Sequence, residues 1–263
     1  MVRRTRVREA LREAEHRLAA AGVDTPRVDA EWLVAHALRT TRSGVYAHLD
    51  DDVELDGLLT RRERREPLAY VLGEWGFRRL TLKTDPRALV PRPETEIVVE
   101  RALALLEGVA APRVLDVGVG SGAIALSLKD ERPDAQVVGV DVSRDALALA
   151  RENSESLQLD VELREGDETA AEQGWDLVVS NPPYVESLIG LQPELEYEPR
   201  LALLGSGFHE RIARIARTRA LVLEVADGQA DEVAVVLRAA GYADVRVSAD
   251  LAGVERVVEG RRE

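Results

Sequence analysis

Two short stretches of the chain carry residue types whose spacing suggests chemistry. The first is Asp116-Val117-Gly118-Val119-Gly120-Ser121-Gly122-Ala123, which follows the apolar pair Val114-Leu115 and opens a helical pattern. Glycine is needed at such a place because the turn is tight and a ligand must approach the backbone more closely than a Cβ allows. Gly118, Gly120 and Ala123 satisfy the dinucleotide fingerprint GxGxxG/A. Asp141 closes the next apolar run and suits ribose hydroxyls. This set fits a nicotinamide and an adenosylmethionine cofactor alike, and alone it leaves the choice open.

The second stretch is Val178-Val179-Ser180-Asn181-Pro182-Pro183-Tyr184, which places Asn-Pro-Pro-Tyr at the end of a fourth apolar run. In an open α/β sheet, ligands bind at the carboxyl ends of the strands. The residue types answer a specific difficulty. A planar amide or exocyclic amine nitrogen is a poor nucleophile because its lone pair is delocalised. Two acceptors, the Asn181 side-chain oxygen and the Pro182 carbonyl, can hold its two N–H groups, turn the lone pair toward an electrophilic methyl and favour a pyramidal transition state. Pro183 stiffens the loop, and Tyr184 offers a face to the planar group. No strong general base is needed, since the nitrogen becomes acidic once methylated. This pattern turns the open choice toward a methyl donor.

The rest of the composition narrows the field. The 263 residues suffice for one large domain or two ordinary ones, and 45% of them are hydrophobic. There is no cysteine, which excludes disulfide scaffolds, thiolate metal sites and cysteine nucleophiles. The four histidines fall in no zinc-hydrolase spacing, so no metal site is expected. No apolar run approaches a membrane span, and the charged start has no signal-peptide core, so the expected location is the cytoplasm. With a net charge of -13, direct nucleic-acid binding is not expected. Five bases against one acid over residues 78–92 either face an anionic partner or form ordinary surface.

The elements that must position these residues follow from periodicity. Val7, Leu11, Ala14, Leu18 and Ala21 mark a first helix. Val28, Leu33, Ala37 and Leu38 mark a second, with His36 as a packing residue, and residues 53–65 a third. Phe77, Leu80 and Leu82 alternate as a strand or hairpin, and Pro91-Arg92-Pro93 is a stiff turn before a helix. Glu94 and Glu96 complement that helix's dipole or brace Arg92. His209 reads as a surface residue. From residue 113, strands alternate with helices, which implies a largely parallel sheet covered on both faces.

On these residues the chain resembles the HemK/PrmC class I methyltransferases. The resemblance is carried by Pro67, Tyr70, Gly73 and Phe77, by Pro91-Arg92-Pro93-Glu94-Thr95-Glu96, by the glycine loop, Asp141 and Asn-Pro-Pro-Tyr, and by Glu198-Pro199, Glu224 and Gln229. It implies an α/β class I (Rossmann-like) methyltransferase domain over 91–263, a linker or hairpin over 73–90 and a small N-terminal helical domain over 1–72 that grips the protein substrate. The implied cofactor is S-adenosyl-L-methionine, held by Asp116, Gly118, Val119, Gly120, Ser121, Gly122, Asp141, Asp167, Glu168 and Asn181. Catalysis falls to Asn181, Pro182, Pro183 and Tyr184, with Phe77, Arg92 and Pro93 walling the substrate pocket. The implied reaction is methylation of a glutamine side-chain amide in peptide chain release factors. A ribosomal-protein glutamine or an adenine amino group is the alternative acceptor. The chain departs from the family pattern at Val119, where threonine is usual, and in a short segment between Pro199 and Glu224.

Overall fold

A computed structural model describes residues 4–185, 187 and 190–262; the first three residues of the charged N-terminal stretch lie outside them. The chain divides into two compact units, Met1–Glu74 with Leu191–Tyr197, and Trp75–Gly190 with Glu198–Glu263. The hairpin region thus goes with the second unit, and a segment just beyond the Asn-Pro-Pro-Tyr loop goes with the first.

In the first unit, β1 (Thr5–Arg6) leads into α1 (Val7–Ala20) and α2 (Pro26–Leu38); β2 (Asp52–Val53), α3 (Asp56–Glu63) and α4 (Leu68–Leu72) follow. Val7, Leu11, Ala14 and Leu18 are buried as their spacing predicts. The second helix differs. Its buried side holds Ala30, Leu33 and Val34 together with Asp29 and Glu31, while Val28, His36 and Ala37 are exposed. Buried acids are tolerable there because they are paired. Asp29 accepts from Arg62 Nε at 2.7 Å, and Glu31 accepts from Arg27 Nε at 2.9 Å and from the Tyr46 hydroxyl. The expected third helix starts late, because Val53 pairs with Thr5 as a strand. Glu194, in the segment 191–197, accepts from Arg65 Nε at 2.7 Å and Arg62 Nη1 at 2.8 Å.

A hairpin of β3 (Glu74–Phe77), whose first residue closes the first unit, and β4 (Leu80–Lys83) opens the second, followed by α5 (Glu96–Leu105). Then β5 (Arg113–Val117), α6 (Ala123–Glu131), β6 (Gln136–Asp141), α7 (Arg144–Leu157), β7 (Glu162–Glu165) and β8 (Trp175–Ser180) alternate. After α8 (Arg200–Leu203) and α9 (Phe208–Ile215) come β9 (Thr218–Glu224), α10 (Ala230–Ala239), β10 (Ala243–Ala249) and β11 (Glu255–Arg261). Seven strands form one sheet in the order β10-β11-β9-β8-β5-β6-β7. Its first five strands in sequence pair parallel, and β11 runs against β9 and β10.

Side chains alternate across the sheet with period two, and the core divides accordingly. Val114, Leu177, Val179, Ala220 and Val222 face one layer with α5 and α6. Leu115, Val117, Val178, Leu221 and Leu223 face the other, with α9 and α10. Burying a Val or Leu in this way stabilises by roughly 1.5–3 kcal/mol each. Strand order reverses between β5 and β8, and the crevice at that reversal is where such sheets bind ligands.

Candidate active site

The carboxyl ends of β5, β6 and β8 open onto a cavity of about 360 Å³. The glycine loop forms one wall. Gly118, Gly120 and Gly122 have φ of 75°, 54° and 91°, left-handed values that any side chain would strain. Gly118, Val119, Gly120 and Ser121 line the cavity, and a Cβ placed on Gly118 would meet no protein atom within 4 Å. The loop is fixed from behind. Val119 is 4% exposed, and a Cβ at Gly139 would lie 2.6 Å from its Cγ2, so any side chain on the strand residue beneath it would force the loop to shift.

Asp116 lies under this wall rather than in it. It has no exposed surface, and its Oδ2 accepts the Ala125 N–H at 3.1 Å. Ala125 lies in the first turn of α6, where N–H groups lack helical partners, so the carboxyl caps that helix from a neighbouring strand. Oδ1 has no partner, and burial, more than the nearby Asp141 charge, pushes the pKa up to about 7.

Asp141 lines the cavity with its carboxylate anchored on both oxygens: Oδ2 accepts from Gly120 N at 3.0 Å and Oδ1 from Ser143 N at 2.9 Å. Each oxygen retains a lone pair for a hydroxyl. Val142, exposed to 58%, sits beside it on the cavity wall, as do Asp167 and Glu168. The hydrogen bonds from the Thr169 hydroxyl and N–H hold the Asp167 carboxyl below the usual range, and Glu168 pairs with Arg211 at 2.7 Å.

Asn181, Pro182 and Pro183 line the same cavity from the end of β8. Ser180 Oγ anchors that end by donating to the Val117 carbonyl at 2.7 Å, and Asn181 Nδ2 donates to Thr95 Oγ1 at 3.3 Å. Tyr184 lies behind them and does not line the cavity. Burial, then the Glu224 carboxylate, pushes its hydroxyl up to about 12, so it stays protonated.

Arg92 is on the cavity wall, but its partner is Glu198 and neither Glu94 nor Glu96. Glu96 instead accepts from the Arg78 N–H at 2.8 Å. Pro93 is exposed and points away, and Phe77 is 1% exposed in the core with Leu82 and Val98, so neither reaches the cavity. Gly122 also lies outside the lining. The basic stretch 78–92 is internally paired: Arg78 with Glu131, Arg79 with Asp130, Lys83 and Arg87 with Glu152. His209 is buried, not on the surface, with Nε2 2.8 Å from the Glu224 carbonyl, and desolvation lowers its pKa. Sequence reasoning gave no role to Thr95, Glu198 or Gly139. The first two stood inside quoted signatures, while Gly139 carried no signal beyond a glycine in a strand.

A mostly parallel seven-stranded sheet, a glycine loop under its first strand end and Asn-Pro-Pro at its fourth define a class I, Rossmann-like, S-adenosylmethionine-dependent methyltransferase. Residues 96–192 match the methyltransferase small domain, and residues 9–73 match the PrmC N-terminal domain. The chain belongs to the release factor glutamine methyltransferase family. It is 41% identical to the Geobacter sulfurreducens release factor glutamine methyltransferase, over 93% of this chain and 92% of that protein. It is 37% identical to the Escherichia coli one, over 95% and 97%. In fold it is similar to the hMettl16 catalytic domain crystallised with MAT2A 3'UTR hairpin 1, at a TM-score of 0.58, 16% identity and coverage of 80% of this chain and 83% of that one. Among the described residues, no helix is long and apolar enough to cross a membrane and no three acids or histidines gather as a metal site.

Proposed function

We propose that this chain methylates the side-chain amide nitrogen (N5) of the glutamine in the Gly-Gly-Gln motif of peptide chain release factors. It would do so in the cytoplasm, with S-adenosyl-L-methionine as donor. The observation that carries this reading is that Asn181, Pro182 and Pro183 share one cavity with Gly118, Gly120 and Asp141. An amide-clamping loop and a nucleoside-binding wall thus open onto the same space.

The residues present fit the donor. The open face at Gly118 admits close approach, the Asp141 carboxylate suits a ribose diol, and the exposed apolar surface of Val142 suits a flat ring. Asp167 and Glu168 add acceptors at the same end. When bound, the donor supplies an electrophilic methyl on a sulfonium sulfur.

The chain's own part is positioning. Asn181 Oδ1 and the Pro182 carbonyl accept the two N–H groups of the target amide, which twists its lone pair out of conjugation. The two prolines leave that loop little freedom to relax away from the strained geometry. These acceptors also favour the positive charge that develops on nitrogen in the transition state. The proton is then lost to water, since the methylated nitrogen is strongly acidic and needs no dedicated base.

The test is incubation of the protein with a release factor and methyl-labelled donor, followed by peptide mapping. Label on the Gly-Gly-Gln glutamine is the expected result. A protein that binds donor yet leaves that residue unlabelled overturns the proposal.

A further inference from the structure

Behind the Asn-Pro-Pro-Tyr loop stand a hydroxyl and a carboxyl that the reading above does not use. Thr95 closes the short turn after Arg92, is 4% exposed and lines the cavity. Its N–H donates to the Arg92 carbonyl at 3.1 Å, which fixes the position of its side chain. Glu224 ends β9, is 3% exposed, and its Oε2 makes no hydrogen bond. Burial pushes this carboxyl up to about 7.

A hydroxyl has one proton to give. Its oxygen can also accept, and here it does so from a side-chain amide. The amide is that of Asn181, whose Nδ2 donates to Thr95 Oγ1 at 3.3 Å. A side-chain amide that turns its nitrogen one way turns its oxygen the other.

We propose that Thr95 is a positioning residue: by accepting from Asn181 Nδ2 it holds that nitrogen back and so turns Asn181 Oδ1 into the cavity as the acceptor for the substrate amide. This rests on the glutamine-amide reading above. Were the Asn181 amide turned over, its NH2 would meet the substrate NH2, donor against donor, and the clamp would lose one of its two acceptors.

Thr95→Val keeps the shape and removes the acceptor; Thr95→Ser keeps the hydroxyl. With the full chain, a release factor and S-adenosylmethionine, Thr95→Val is expected to lose about 10- to 100-fold in kcat. Donor affinity by calorimetry should stay within about twofold, and Thr95→Ser should recover to within about threefold of wild type. Thr95→Val within about twofold of wild type in kcat, or Thr95→Ser no better than Thr95→Val, overturns the assignment. A wild-type chain that binds donor but leaves the release factor unlabelled refutes the substrate reading instead. The role of Thr95 is then decided by NMR of the Asn181 side-chain amide. Its N–H signals shift and exchange faster with water in Thr95→Val if Thr95 is their acceptor, and stay unchanged if it is not.

Discussion

Arg92 is held by Glu198, a residue over a hundred positions away in the chain, rather than by the acids of its own turn. The Glu198 side chain has no exposed surface, and its Oε2 also accepts the Val90 N–H at 3.0 Å. One carboxylate therefore grips the chain on both sides of Pro91, in the proline-stiffened turn that leads to Thr95. Burial raises the Glu198 pKa, and the Arg92 charge and the Val90 N–H work against that rise.

Removing this grip has a defined cost. Glu198→Ala leaves a buried backbone N–H and a guanidinium without their acceptor, which should destabilise the fold by about 2–4 kcal/mol in urea unfolding. Glu198→Gln retains one acceptor oxygen and should lose less. An alanine variant within about 0.5 kcal/mol of wild type would show that the turn holds itself.

Asn181→Ala separates binding from turnover. Much of the donor wall is backbone, together with Asp141, so calorimetry should find donor affinity within a few-fold of wild type. The lost acceptor is expected to lower kcat by about 10²–10³. Equal losses in donor affinity and in kcat would mean that the side chain mainly holds the donor.

The contact between Gly139 and Val119 predicts a compensating pair. Gly139→Ala puts a methyl 2.6 Å from Val119 Cγ2 and should cost about 1–3 kcal/mol by overpacking. Val119→Ala opens the space, so the double variant should be more stable than the sum of the two single losses implies, by about 0.5–3 kcal/mol. Additive losses by chemical denaturation would disprove the contact.

How far the sequence alone reached can be judged on these residues. The strand-end positions of Gly118, Asp141 and Asn181 were legible because each follows an apolar run and carries a residue type with a chemical reason to be there. The long-range partners were not. Nothing local tells that Glu198, and not Glu94, reaches Arg92, or that Asp116 turns inward to cap α6. Helix α2 misled for a related reason. Its buried Asp29 and Glu31 are neutralised by Arg62 and Arg27, and periodicity counts an acid as exposed whatever its partner. The signature around Phe77 points to a pocket wall, but packing with Leu82 and Val98 takes it into the core.

Asp116 supplies a pH test of the loop's foundation. Its folded pKa of about 7 lies above the model-compound value of 3.8, chiefly through burial. The folded state therefore binds this proton more tightly than the unfolded state does. The stability it confers is fully present below pH 3.8 and disappears as the pH rises toward about 7, with no further change above that. The slope for one such group is at most roughly 1.4 kcal/mol per pH unit. Asp116→Asn keeps an oxygen for the Ala125 N–H and cannot ionise. Its stability relative to wild type should therefore climb between about pH 4 and pH 7 and then level off. Urea unfolding of both proteins across that range, without donor, measures the difference directly. A difference that stays constant with pH would mean that Asp116 ionises as easily in the folded chain as in the unfolded one, and that the α6 cap is charged.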